Sequence, residues 1–223
     1  MQRKVFDKLA SGIGAVLVVV LLVAGGLLVW GHSFAQSNVH NQLAQQQIYF
    51  PKASEITAVE HDYATTGKTA DPEFPNQAMV AHIAPYAGDQ VLTGKEAQVY
   101  ANWFIGQHLK AMPYNGVYSK VSAAARSAKP GSAAATQLAG LETTVFQGTT
   151  LRGLLLEAYG FGTIALIMLW AAIASFIGAA LLLMLTLLGL RHAVRTPEEE
   201  RVFSHNGATT DEPVLDNEPV SIA

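Results

Sequence analysis

The chain has 223 residues, half of them hydrophobic, and a formal net charge of -3. That charge is too small to point to nucleic acid or any strongly charged partner, so no nucleic acid is expected. With no cysteine anywhere, a disulfide framework, thiol catalysis and cysteine-ligated zinc are excluded.

Hydrophobic residues crowd into two blocks, 12–30 and 161–190, separated by an ordinary polar stretch. The first block follows Arg3, Lys4, Asp7 and Lys8 and carries no charged side chain. As a helix its 19 residues run about 28 Å, close to the hydrocarbon thickness of a bilayer. Ser33-Phe34-Ala35 has the small-x-small form of a signal cleavage site, but the apolar run exceeds the roughly 7 to 15 residues of a signal core. A retained span is therefore expected, with cleavage after Ala35 the alternative; Gly25 and Gly26 give this span a flat patch.

Beyond it, residues 36–47 lack Pro and Gly, and Val39 and Leu43 lie one turn apart, so the helix is expected to continue as a stalk until Ile48-Tyr49-Phe50-Pro51 breaks it. Pro72, Pro75 and Pro85 make the next part loop-rich, with a short helix over 76–84. Thr93 and Glu96 form a capping box signature, and Ala97, Tyr100, Ala101, Phe104, Ile105, His108, Leu109 and Met112 then recur at three and four, predicting a core helix that ends at Pro113 and Asn115-Gly116. His108 on that stripe reads as a buried, hydrogen-bonded histidine.

After Lys129-Pro130-Gly131-Ser132, the positions Leu138, Leu141, Val145 and Phe146 predict a further amphipathic helix. Gly148 and Gly153 are expected to hinge the passage into the second block, with Thr149 or Thr150 capping a new helix. Arg152 and Glu157 are expected at headgroup level, Arg152 reaching phosphate or an acidic residue. The second block, 30 residues long, exceeds a bilayer unless it tilts or projects. Ala171, Ser175 and Ala179 recur every fourth position and offer a ridge for packing against the first span, a second copy or an envelope protein. After residue 190 the chain has three basic and seven acidic residues, with Glu198-Glu199-Glu200, Thr209 and Thr210 among prolines and no apolar period; a disordered tail is expected.

Orientation follows from the basic residues. Arg3, Lys4 and Lys8 precede the first block and Arg191 and Arg195 follow the second, so both termini are expected in the cytoplasm of a cell-membrane protein. The expected organisation is mainly α: cytoplasmic N-terminus 1–11, transmembrane helix 12–31, mostly helical extracytoplasmic domain 32–159, transmembrane helix 160–190, acidic cytoplasmic tail 191–223. Ion pathways and proton relays need ionisable groups at membrane depth, which neither block has, and only a pore lined by Thr163, Ser175 or Thr186 would make this a channel.

Chemistry is thinly signalled. Glu60-His61-Asp62 is the one place where acid and base residues adjoin, and with His82 and His108 a two-histidine, one-carboxylate metal site can be drawn. Neighbours in a helix point apart, and HExxH, G-x-S-x-G and phosphate-loop patterns are absent, so no catalytic residue, metal or cofactor is expected. The passages Tyr-Ala-Asn-Trp-Phe-Ile-Gly-Gln-His-Leu (100–109) and Phe-Gln-Gly-Thr-Thr-Leu-Arg-Gly-Leu-Leu-Leu (146–156) resemble small two-span membrane proteins of actinobacteria that have a helical extracytoplasmic domain. The resemblance implies a cell type and a topology and no functional residues; a ring-opening dioxygenase activity attached to some relatives is not carried over, because this sequence has no iron-ligand spacing. The expected function is a non-enzymatic scaffold or accessory subunit in the lipid bilayer. The alternatives are a sensor holding a small ligand through Trp103, Tyr100 or Tyr114, and a metalloenzyme around His61, His82 and His108.

Overall fold

The computed structural model describes residues 3–195. Among these the chain is mainly helical, without a strand, and falls into two compact units: residues 22–176, and residues 3–21 with 177–195. The expected tail lies almost wholly outside the described residues, as do Glu198, Thr209 and Thr210. Helices α1 (Arg3–Gln46) and α7 (Ala133–Arg195) contribute to both units, and they are the two helices long and apolar enough to cross a membrane.

In the smaller unit the two helices pack antiparallel through their smallest residues. A Cβ on Gly14 would strike the Thr186 hydroxyl, and one on Gly189 would sit 2.8 Å from Ser11 Oγ. Ser11, Val18, Ala179 and Thr186 are buried there. Missing side chains let two backbones approach closely, which is how helices associate where burial against water gives no drive.

In the larger unit the same helices are joined at Gly25 against Phe176, at Gly31 against Met168, and by a 2.8 Å hydrogen bond between His32 Nδ1 and the Ala165 carbonyl. Of the ridge expected at Ala171, Ser175 and Ala179, Ala171 is exposed and Ser175 half-buried in this unit, where Ala165 and Ala172 are buried instead; Ala179 is buried in the smaller unit. Fourth-position neighbours on an α-helix drift by about 40° per step, so the spacing of Ala171 and Ser175 does not keep every member on one buried line, whereas Ala165 and Ala172, seven apart, do share a face.

The core of the larger unit lies between these helices and the shorter ones. α1 runs through Ser33-Phe34-Ala35 and continues to Gln46 as expected; Gln47 then turns left-handed (φ 51°) and Gln90 Nε2 donates to the Ala44 carbonyl at 2.9 Å. α2 (Ala53–Thr66), not foreseen in the sequence, is started by the Glu55 carboxylate accepting from the Lys52 N–H and buries Ile56 and Val59. α3 (Gln77–Ile83) is the short helix expected at 76–84, capped by Asn76 accepting from Met79 N–H. α4 (Gly94–Val99) begins with the Thr93–Glu96 capping box and passes directly into a π-helical turn (Tyr100–Ile105) and α5 (Gly106–Ala111). Phe50, Phe74, Met79, Val80, Ile83, Val91, Val121, Val145 and Leu155 fill the space between. α6 (Tyr118–Ser127), also unforeseen, covers one side with Val121.

The hinge expected at Gly148 and Gly153 is overturned. α7 passes through both glycines, and Thr149 and Thr150 sit exposed within it rather than capping a new helix. Gly148 is occupied as a contact, with Leu109 Cδ2 3.0 Å from where its Cβ would stand, and buried Val145 and Leu155 hold the helix on either side. Packing of that face outweighs the roughly 1 kcal/mol each helical glycine costs.

Candidate functional site

The π-helical turn is the local irregularity from which the site is built. Ala97, Ala101, Ile105 and Leu109 are all buried, each four residues after the last. An α-helix would rotate such a series steadily off the core, and the wider i→i+5 turn absorbs the excess. The Gly106 N–H accordingly bonds the Ala101 carbonyl, five residues back. Such turns recur at functional sites because they re-aim the side chains they carry.

Here the re-aimed residues are Asn102 and Trp103. With Gln107 and Lys110 of α5, and Thr149 and Arg152 of α7, they line a cavity of about 620 Å³. Its far wall is the Asn115-Gly116-Val117-Tyr118 segment. Tyr114, Asn115 and Gly116 are all left-handed, with φ of 58°, 56° and 60°. Only Gly116 adopts that freely; for Tyr114 it costs about 1–2 kcal/mol, tolerated where surrounding structure fixes the turn. Gly116 is required by contact as well, because a Cβ there would run into the Leu109 carbonyl.

Arg152 dominates the chemistry. Its Nη2 donates to Asn102 Oδ1 at 2.8 Å, while Nε is buried with no partner among the described residues. Among the described residues Arg152 pairs with a neutral amide and not with the acidic residue expected as one of its two partners. Gly106 lies beside the guanidinium, where a Cβ would meet Nε at an ordinary 3.5 Å and the Ala101 carbonyl more tightly at 3.2 Å. Glu157, placed beside Arg152 in the sequence reading, is exposed and lines a different depression with Asn38 and Gln42.

Of the three aromatics expected to hold a ligand, Trp103 lines the cavity, braced by the His82 ring stacked on it at 3.4 Å between centroids and 12° between planes. Tyr100 instead joins an aromatic cluster, edge-on to Phe50 at 5.3 Å and against Phe104 at 4.7 Å. Burial, and secondarily the Glu73 carboxylate, push the Tyr100 hydroxyl pKa up, so this phenol stays neutral. Tyr114 is exposed on the left-handed turn.

The histidines of the drawn metal site are not brought together. His61 is exposed on α2, His82 Nδ1 bonds the Ala78 carbonyl at 2.7 Å, and His108 Nδ1 bonds the Phe104 carbonyl at 2.8 Å, hydrogen-bonded as expected but half-buried rather than buried. Among the described residues no three His, Asp or Glu side chains are grouped to hold a metal ion. Asp62 binds Thr69 Oγ1 at 3.2 Å, a local loop contact.

A further, largely apolar depression of about 320 Å³ also borders Leu109, lined by Phe104, His108, Met112 and Leu151. Asn102, Tyr118 and Arg152 were missed as a group in the sequence. Asn102 and Arg152 are 50 positions apart, and nothing in either neighbourhood announces the other. No known protein family, curated protein or solved structure matches the chain.

Proposed function

We propose that the chain is a two-span protein of the cell membrane, both termini cytoplasmic, whose helical region outside the membrane is a non-catalytic binding module that senses a small ligand in the Trp103–Arg152 cavity. The observation that carries the functional part is the cavity itself, walled by a π-helical turn and a left-handed turn and floored by a guanidinium that the described residues leave incompletely bonded. Ligand sites are concave and mostly pre-formed; this one sets apolar wall from Trp103, Leu109, Val117 and Tyr118 beside Asn102, Gln107, Lys110, Asn115, Thr149 and Arg152.

The membrane part is supported by exposure. In the most apolar windows of α1 and α7 only 17% and 11% of residues are buried, leaving Val16, Val20, Leu27, Ile167 and Leu185 outward. Apolar surface of that extent needs lipid or a partner to cover it. Trp30, stacked on Phe34, and Trp170 are exposed on the same two helices, as in the aromatic belts of membrane rims. The basic flanks Arg3, Lys4, Lys8, Arg191 and Arg195 support cytoplasmic ends.

Because the chain has no cysteine, single replacements report topology without background. Glu60→Cys and Lys129→Cys are expected to react with a membrane-impermeant maleimide on intact cells, and Arg195→Cys only after lysis. Labelling of all three positions before lysis would sink the proposal.

The expected scaffold role remains a second reading, favoured by the exposed Tyr118–Phe146 ring contact beside exposed Tyr114. Affinity capture in mild detergent tests it: a chain that always emerges without a stoichiometric partner has no scaffold role.

A further inference from the structure

We infer that the ligand of this cavity carries an oxyanion, a carboxylate or phosphate group, seated on Arg152 with Lys110 as second cation; the inference rests on the ligand-binding reading above and specifies its chemistry. The cavity lining contains two basic side chains, Lys110 and Arg152, and no acidic one, so an entering anion meets no opposing carboxylate. The remaining polar groups, Asn102, Gln107, Asn115 and Thr149, are neutral. The sign of the ligand is thus set by the wall.

Arg152 is the sharper argument. A guanidinium has five N–H donors in a planar fork and cannot shed its charge. Here one amide oxygen anchors Nη2, and the buried Nε has no acceptor among the described residues. Buried polar groups in folded chains are nearly always paired, so Asn102 and the enclosed Nε leave this guanidinium under-satisfied, and its contact with the cavity is through the terminal part of the fork rather than Nε. An oxyanion offers the two-oxygen edge that matches the fork, at roughly twice the strength of a neutral hydrogen bond. Asn102 then acts as a positioning residue, holding the fork at one corner. Trp103, backed by His82, and Tyr118 supply apolar wall for the rest of the ligand, because the cavity is much larger than a bare anion needs.

The source of the anion follows from height along α7. Arg152 precedes the apolar block by nine residues, at least about 14 Å of helix, whereas a headgroup layer is roughly 5–8 Å deep. A water-soluble ligand reaches this site without leaving the aqueous phase, and a lipid headgroup has to rise to it.

The test uses the full chain in neutral detergent, with Trp30→Phe and Trp170→Phe so that Trp103 alone reports. Inorganic phosphate, phenyl phosphate, benzoate and the uncharged control benzamide are titrated to millimolar concentrations. The aromatic anions are expected to change Trp103 emission and benzamide is not. Arg152→Gln is expected to weaken them by about tenfold or more, Arg152→Lys to regain part of the loss, and Lys110→Gln to cost less, since it removes a point charge and no fork. Without ligand, Arg152→Gln gives up one hydrogen bond, to Asn102, from a half-buried position and is expected to melt only slightly below the parent; a collapse of the fold in Arg152→Gln that Arg152→Lys repairs without restoring anion binding would make Arg152 a structural strut and overturn the inference. Benzamide binding as well as benzoate, unchanged in Arg152→Gln, would remove the anion while leaving a ligand cavity standing. A Trp103 response confined to nanodiscs of anionic lipid, absent from those of neutral lipid and from every soluble probe, would overturn the soluble ligand in favour of a headgroup. Silence to all probes and lipids would remove both the anion and the cavity's role.

Discussion

A methyl group added at Gly94 would have nowhere to go. It would stand 2.9 Å from the Ala158 carbonyl oxygen and 3.0 Å from Tyr159 Cα, both backbone atoms of α7 that cannot swing aside. Gly94→Ala is therefore expected to cost about 1–3 kcal/mol, read as a lower melting temperature in detergent. Tyr100 makes a different prediction. Its pKa is raised by burial and by Glu73, so its folded value lies above its unfolded one. The neutral phenol's contribution is present below about pH 10 and lost as pH rises through the folded value. Tyr100→Phe should lack that component, so the gap in melting temperature between parent and variant should change above about pH 10 and be constant below it. Residue-scale legibility was uneven for a physical reason. The Thr93–Glu96 and Asn76 caps and the satisfied state of His108 depend on neighbours within four positions, and sequence shows those. Gly94 and Arg152 depend on atoms more than 45 positions away, and it does not.

Among elements, α7 departs furthest from expectation. Gly148 and Gly153 read as a hinge because glycine is permissive by itself, yet a Cβ at Gly153 meets nothing within 4 Å and the helix around it is unbroken. Gly153→Ala is expected to stabilise by about 0.5–1 kcal/mol, the gain from removing a helical glycine, and to leave Trp103 emission unchanged. A loss of stability would restore the hinge. The helix from Thr93 shows the opposite case. Its apolar stripe was visible at three and four, but the run of fours at Ala97, Ala101, Ile105 and Leu109 held the information that a plain α-helix could not keep all of them inside. That signal was readable and was missed. α2 and α6 escaped because each buries only two residues on an otherwise polar surface, too few to form a visible stripe.

For the whole molecule, the decisive quantity is what surrounds the apolar flanks of α1 and α7. Val20 is 54% exposed near the middle of the first block. If water surrounded it, Val20→Arg would change stability by no more than about 0.5 kcal/mol. In a bilayer the same change opposes insertion by about 2.5–3.5 kcal/mol. The variant is expected to lose much of its membrane-bound fraction, measured by alkaline carbonate extraction. The two blocks, the stalk and the helical character of the region between them could be read from composition and period, because transfer from water to lipid acts on each residue separately. Which residues meet inside that region could not, because the cavity is assembled from three stretches that only packing brings together.

The Ser11–Gly189 contact also matters to anyone who handles the protein. The contact lies eight residues inside the start of α1 at Arg3 and six inside the end of α7 at Arg195, so peptides spliced at Arg3 and Arg195 would be born as neighbours. Halves of a split fluorophore attached there would find each other within a single copy, and their glow would testify to intact folding without testifying to dimers.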